Sequence, residues 1–172
     1  MRPARIRTIA FIAVLLFMPC SIRAQEPSPS PEKDWTAATR AFWHIDGGYP
    51  IRGSVGTTFV SGQSRRLSGY EERLRGFVVG VDVGFVNADA RFGWAWLRPY
   101  DAGMDGWSTE ILVVRALGFD SRLNRGTTYV GPTVSCYLMG FRFSGGFLVG
   151  STAEERSVMP IATAAVVIPF SR

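Results

Sequence analysis

The stretch GFVVGVDVGFV, from Gly76 to Val86, decides the fold, because large apolar and small residues alternate along it. Its large side chains stand at every second position, at Phe77, Val79, Val81, Val83 and Phe85. The positions between them are mostly glycine, together with Val78 and Asp82. Successive side chains of a strand point to opposite faces. The period of two therefore predicts a β-strand with one large apolar face and one face of small residues.

The same alternation recurs along the rest of the chain. After an expected turn at Asn87–Asp89, the next segment places Phe92, Trp94 and Trp96 on one face, and the two segments together predict a hairpin. Clear alternation also covers 127–138, 141–150 and 161–170, and weaker alternation covers 49–60 and 108–117. The spacing of these segments predicts further strands.

Residues 35–46, WTAATRAFWHID, fit two kinds of element. Apolar residues at helical spacing would make a short amphipathic helix. As a strand, the segment places Arg40 and His44 opposite Trp35 and Trp43, and it leads into an expected turn at Asp46–Gly48. We prefer the strand because it brings the count to eight. The sequence thus predicts an all-β domain over 35–172, a single antiparallel up-and-down β-barrel of about eight strands.

The composition of the two faces indicates the surroundings of the barrel. A soluble sandwich buries its large apolar face and presents a polar face to water. Here the second face consists mostly of Gly, Ala, Ser and Thr with a few charged residues. Small and charged residues inside an apolar exterior are typical of transmembrane β-barrels. The alternative is a soluble exported barrel or sandwich that turns its large residues inward and binds an apolar ligand.

The final segment, ATAAVVIPFSR, has apolar residues at alternate positions up to Phe170. It resembles the terminal strand of outer-membrane proteins, although Ser171 and Arg172 follow the aromatic residue. At class level, the chain resembles the small eight-stranded outer-membrane barrels of the outer-membrane protein A and X type. The resemblance implies an integral outer-membrane protein of structural or interaction type, with membrane lipid and lipopolysaccharide as contacts and the barrel-assembly machinery as its partner during insertion.

The N-terminal segment has the order of a secretory signal. Three arginines precede an apolar run from Ile9 to Met18, which is shorter than the roughly 20 residues of a spanning helix. Ala24 supplies the small residue before a cut, so 1–24 is predicted to be a cleaved signal peptide and 25–34 a disordered Pro/Ser tether. The alternative, a lipoprotein lipidated at Cys20, is disfavoured by Pro19 just before it.

Removal of this signal changes the charge and cysteine arguments. Of 19 Lys and Arg residues, Arg2, Arg5, Arg7 and Arg23 leave with it. The remaining chain has 15 basic and 14 acidic residues, so its net charge is near zero. A nucleic-acid partner therefore has no electrostatic basis. Cys136 alone remains of the two cysteines, which excludes an intrachain disulfide. One histidine and one cysteine offer no ligand cluster, and neither a metal nor another cofactor is expected.

Two sets of residues are expected to have distinct places in such a barrel. The first is a charge network in the lumen, which could instead line a narrow conduction path; its members are Arg40, Arg52, Asp82, Arg91, Glu110 and Arg142. The second is an interfacial aromatic girdle at the periplasmic ends of the strands, formed by Trp35, Phe59, Phe77, Trp94, Trp96, Phe141 and Phe170. Segments 61–74 and 98–107 are expected to be loops at this end, and Arg115 is expected to face lipid near a strand end.

Barrels of the class that the chain resembles include lipid A acylation and deacylation enzymes, which use a His with a Ser near the outer rim. The only candidates here are His44, expected near the outer end of the first strand, and Asp46. No His-x-Ser occurs, and spacing ties neither Ser54 nor Ser151 to His44. A lone histidine supports general-base catalysis only weakly. No catalytic role is expected.

Overall fold

The computed structural model describes residues 35–51, 53–66, 72–100, 103–118, 123–151 and 156–170. The predicted signal peptide and tether, and Arg52 of the predicted charge network, lie outside these residues. Among the described residues, no helix is long and apolar enough to cross a membrane.

Eight antiparallel strands form one closed barrel in which sequence neighbours pair and the last strand pairs with the first. This confirms the predicted all-β up-and-down barrel, its strand count and the strand at 35–46. The strands are β1 Thr36–Tyr49, β2 Ser54–Arg66, β3 Glu72–Gly84, β4 Asn87–Tyr100, β5 Gly103–Ala116, β6 Thr128–Leu138, β7 Phe141–Ser151 and β8 Arg156–Pro169. We call the end where β1 begins and β8 ends the terminal rim, and the opposite end the far rim.

The register around the barrel determines the tilt of its strands. Successive partners from Thr39 are Ser61, Phe77, Trp94, Thr109, Val134, Gly145 and Ala162, and the path returns to β1 at Tyr49. A displacement of ten residues over eight strands requires a tilt of about 40°. At that tilt the 11-residue β6 rises about 28 Å and the 14-residue β1 about 35 Å.

Several strands are longer than the sequence patterns predicted. The expected loops 61–74 and 98–107 are wrong, because β2 continues to Arg66, β3 starts at Glu72, and only residues 101 and 102 separate β4 from β5. These segments alternate in burial although their outward residues are polar, so they lack the apolar contrast that indicates a strand.

Two expected turns are also misplaced. The turn at Asp46–Gly48 is wrong because β1 runs to Tyr49, and Gly47 and Gly48 pair with Ala164 and Thr163 of β8. The turn between β3 and β4 falls at Phe85–Val86, and Asn87 already belongs to β4. Glycine and asparagine favour turns, but Gly47, Gly48 and Asn87 lie in strands here.

The interior is divided into three layers, and β5 crosses all of them. Met104 lies in a terminal-side apolar cluster, which contains Phe42, Val60, Leu74, Val78, Ala95, Leu97, Met104, Tyr137 and Val167. Glu110 lies in a polar middle layer, where charged side chains are buried. Val114 lies in a far-side apolar cluster, which contains Ile51, Leu112, Val114, Ala116, Leu123, Tyr129, Leu148, Met159 and Ile161. Apolar side chains therefore fill the interior on both sides of the polar layer.

Candidate functional site: the buried charged layer

The middle layer of the interior is formed by ionisable side chains from five strands. All are at least nine-tenths buried, and we call them the charged layer: His44, Asp46, Asp82, Asp89, Arg91, Glu110 and Arg142. Each lies on the inward face because its strand alternates with period two. Large apolar residues occupy the outward positions next to them, such as Val81 and Val83 beside Asp82.

Arg91 on β4 is a centre of this layer. Its Nη2 atom is in ion-pair contact with Asp82, lies 3.3 Å from Asp46 Oδ2 and lies 3.5 Å from Asp89 Oδ1. A guanidinium group carries several donors in one plane and can serve more than one carboxylate. Arg91 thereby connects β1, β3 and its own strand.

Arg142 on β7 is the second cation, and its side chain is 1% exposed. It donates from Nη2 to Asp46 on β1. In the barrel, β8 lies between these two strands, so the pair joins strands that are not neighbours. Asp46 therefore accepts from both arginines of the layer. A buried charge is tolerated only when it is paired and hydrogen-bonded. The Asp46 carboxylate supplies the pairing for Arg142, while Arg142 Nε makes no hydrogen bond with a described residue.

His44 belongs to the same layer. Its Nε2 atom donates to Asp82 and lies 3.7 Å from Asp46 Oδ2, and the residue is 1% exposed. The expected position near a strand end is wrong, because β1 continues for five residues beyond it to Tyr49. Ser54 Oγ makes no hydrogen bond with any described residue, so Ser54 is not hydrogen-bonded to His44.

Glu110 and Asp89 complete the layer around a small cavity. Glu110 accepts a hydrogen bond from Ser108, and Asp89 accepts one of 2.9 Å from Asn87 Nδ2. Asp46, Asp89, Arg91 and Glu110 line a cavity of about 20 Å³, which is room for about one water molecule. An eight-stranded barrel is just wide enough for its own side chains to fill the interior, and the small size of this cavity fits such a filled layer.

A metal ion could use some of the same side chains. His44, Asp46 and Asp82 each offer a ligand atom, and these atoms lie within 4.8 Å of one another. The arginines, however, already contact both carboxylates. The guanidinium groups supply at this place the positive charge that an ion would bring.

The predicted lumen set is brought together only in part. Asp82, Arg91, Glu110 and Arg142 meet in the charged layer, whereas Arg40 lies near the terminal rim and pairs with Glu72 at 2.9 Å. Asp89 and Glu72 are not in the predicted set, and His44 and Asp46, predicted only as weak catalytic candidates, belong to the charged layer. Asp89 could have been included, since it has the same parity as Arg91 on one strand.

The predicted aromatic residues lie on the outside of the barrel, but the expectation that all lie at the strand ends of one rim is wrong: Phe141 begins β7 and Phe170 follows β8 at the terminal rim, whereas Phe59 lies in the middle of β2. Phe59, Phe77, Trp96, Phe141 and Phe170 are exposed, and Trp35 and Trp94 are half-buried. Phe77, Trp94, Trp96 and Trp107 form a continuous aromatic strip over β3, β4 and β5, with successive ring centroids 4.8, 6.0 and 4.1 Å apart. Trp107 was not among the predicted residues, because the alternation of its segment is weak.

Arg115 lies on the outward face of β5, one residue before its end at the far rim. It is exposed and donates to Thr128 Oγ1 at 2.9 Å.

Comparisons of this chain with protein-family models, with curated proteins and with solved structures return no match.

Proposed function

We propose that this chain is an exported outer-membrane β-barrel of structural or interaction type, without a catalytic role. The observation that carries the proposal is the inverted burial of the barrel. Arg142, Asp82 and His44 are each 1% exposed, whereas Phe77, Val83 and Phe85 are 67%, 64% and 92% exposed. A protein that is soluble in water exposes its charged side chains and buries most of its large apolar ones, which is the opposite arrangement.

The extent of the apolar surface supports the same proposal. Exposed large apolar residues occur on every strand, from Ile45 on β1 to Ile168 on β8. Exposed apolar residues on all eight strands exceed the patch that a soluble monomer exposes. A hydrocarbon layer about 25 Å thick would cover them, and even β6 is long enough to cross that layer.

Sequence features support export and the destination. The predicted signal peptide directs the chain through the inner membrane, and the Phe170 ending resembles the terminal strand that outer-membrane barrels carry. Closed barrels are one of the two architectures that leave no backbone group unpaired in lipid. The partners that follow are membrane lipid, including lipopolysaccharide, and the barrel-assembly machinery during insertion.

The soluble alternative, a barrel that binds an apolar ligand, has less support. It requires the large residues to face an internal cavity, but Val79, Val81 and Phe147 lie outward with about half of their surface exposed. The charged layer also occupies the place where such a ligand would bind.

Single-cysteine labelling in a Cys136→Ser background tests the proposal. Val79→Cys and Val81→Cys place the label on the outer face, and Val78→Cys, 1% exposed in the wild type, is the inward control. Gly80 is unsuitable as a control because a Cβ there would lie 2.8 Å from Arg91 Cγ. In vesicles, a maleimide fluorophore should react at 79 and 81 but not at the buried position 78, and brominated lipid should quench the fluorophore at 79 and 81.

Cell fractionation adds an independent readout. The mature chain, beginning at Gln25, should sediment with outer membranes and show heat-modifiable mobility in gels. A mature chain that remains in solution without detergent would refute the membrane assignment and favour the soluble alternative.

A further inference from the structure

Three arginines form a row on the outer face at the terminal rim. Arg65 on β2 and Arg73 on β3 are direct cross-strand partners. Arg98 on β4 follows Leu97, whose partner is Leu74, so it holds the next outward place in the same line. We call Arg65, Arg73 and Arg98 the arginine row.

Among the described residues, one acid, Asp105 opposite Arg98, faces the three arginines of the row, so the row keeps an excess of positive charge. Like charges directly opposite each other on neighbouring strands destabilise a sheet. Glu72, next to Arg73 in sequence, is buried and pairs with Arg40. Asp105, the partner of Arg98, accepts hydrogen bonds from Tyr100 and from the backbone of Met139. An anion from outside the chain would relieve this repulsion.

The surroundings of the row indicate which anion fits. Along β4 the outward residues run from Arg98 to Trp96 and Trp94, so the aromatic strip begins two residues away. Between row and strip, Arg75 stacks on Trp35 at 4.2 Å and donates to Gln63 Oε1 at 2.8 Å. Aromatic side chains of this kind lie at headgroup level in membrane barrels. The row therefore lies where lipid phosphates are found.

We propose that the arginine row binds the phosphate of an anionic glycerophospholipid, with the acyl chains lying along the aromatic strip. The inference rests on the proposed membrane function. Guanidinium groups bind phosphate through paired hydrogen bonds, and three of them in a line offer more donors than one phosphate can use. With the chain termini on the periplasmic side, the row meets the phospholipid leaflet of the outer membrane.

Lipid titration of the full-length mature protein tests this binding. Phosphatidylglycerol or phosphatidylcholine with identical acyl chains is added to the protein in dodecyl maltoside, and native mass spectrometry counts the bound lipids. The variant is Arg65→Gln/Arg73→Gln/Arg98→Gln. The matched control is Arg115→Gln, which removes an exposed outward arginine at the far rim. Inorganic phosphate at equal concentration is added in a separate arm.

We expect the wild type and the Arg115→Gln control to prefer phosphatidylglycerol. In the triple variant, the ratio of phosphatidylglycerol affinity to phosphatidylcholine affinity should fall by about tenfold or more. Inorganic phosphate should not displace the lipid. Equal binding of both lipids by the wild type, an unchanged preference in the triple variant, or displacement by inorganic phosphate would each overturn the proposal.

Insertion into phosphatidylcholine vesicles, monitored by heat-modifiable mobility, separates this proposal from the proposed function. If the wild type inserts but shows no preference for phosphatidylglycerol, only the arginine row is refuted. If the wild type fails to insert, both proposals fall. A triple variant that inserts normally and has lost the preference supports the arginine row, because its barrel is intact.

Discussion

Arg142 on β7 contacts Asp46 on β1, a partner 96 residues away in the chain, although β8 lies between the two strands in the barrel. Both side chains are almost completely buried. Removing one member of a buried pair leaves an uncompensated charge, which is more costly than removing both. We therefore expect the effects of substitutions at Arg142 and Asp46 on stability to depend on each other.

We expect Arg142→Met to lower the free energy of unfolding by about 3–5 kcal/mol. The double variant Arg142→Met/Asp46→Leu should be more stable than Arg142→Met alone, because it also removes the Asp46 carboxylate, which Arg142→Met leaves with Arg91 as its remaining arginine partner. Urea titration of the barrel in lipid vesicles measures both. Arg115→Gln, at an exposed position, is the control and should change stability by less than about 0.5 kcal/mol. A double variant that is no more stable than Arg142→Met would contradict the coupling.

The interior glycines provide space for the charged layer, and Gly56 is the clearest example. A Cβ at Gly56 would overlap the Asp82 carboxylate and the backbone carbonyl of Val81. We expect Gly56→Ala to cost about 1–3 kcal/mol of stability through overpacking. Gly53→Ala is the matched control, since a Cβ there meets nothing within 4 Å. Equal urea midpoints for the two variants would show that the interior has room that the structure does not indicate.

The cost of a charge on the outer face should depend on its depth. Val81 lies outward in the middle of the exposed apolar surface, level with the charged layer, whereas Val158 lies outward near the start of β8 at the far rim. In vesicles, we expect Val81→Arg to cost about 2–4 kcal/mol and Val158→Arg about 1 kcal/mol or less. Urea unfolding of the two variants measures the difference. Similar costs at both positions would be inconsistent with a hydrocarbon layer around β3.

The alternation of side chains was sufficient to predict the fold. From Gly76 to Val86 every second residue is large, and the structure places those residues outside and their neighbours inside. Alternation failed where it carried no apolar contrast. The segments around Arg65 and Arg98 have polar residues on their outward face, so the sequence pattern predicts loops there. In the structure they are strand ends that pair in register.

The charged layer was predictable in part of its membership but not in its geometry. Parity places Asp82, Arg91 and Arg142 inside a barrel, yet which carboxylate meets which arginine depends on the ten-residue displacement around the ring. That displacement is set by turn lengths and strand ends, which the sequence pattern located incorrectly at Asp46–Gly48. His44 was placed near a rim for the same reason, whereas the full length of β1 puts it in the middle layer.

The position of His44 leads to a final prediction about catalysis. A lipid A-modifying enzyme needs its base within reach of an acyl ester at the membrane surface, and general-base geometry requires hydrogen-bond distance to the reacting proton. His44 lies instead between two apolar clusters, with Nε2 donating to Asp82. We expect strains that overexpress the wild type, overexpress His44→Gln or lack the gene to have the same lipid A mass profile.

Mass spectrometry of extracted lipid A makes the comparison, and heat-modifiable mobility verifies that His44→Gln forms the barrel. Gly53→Ala is the expression control, because its substitution lies in open space. A gain or loss of one acyl chain on overexpression of the wild type and of Gly53→Ala, but not of His44→Gln, would contradict the non-catalytic proposal. Such a result would also mean that the layer opens to the membrane, because a side chain 1% exposed cannot otherwise contact a lipid ester.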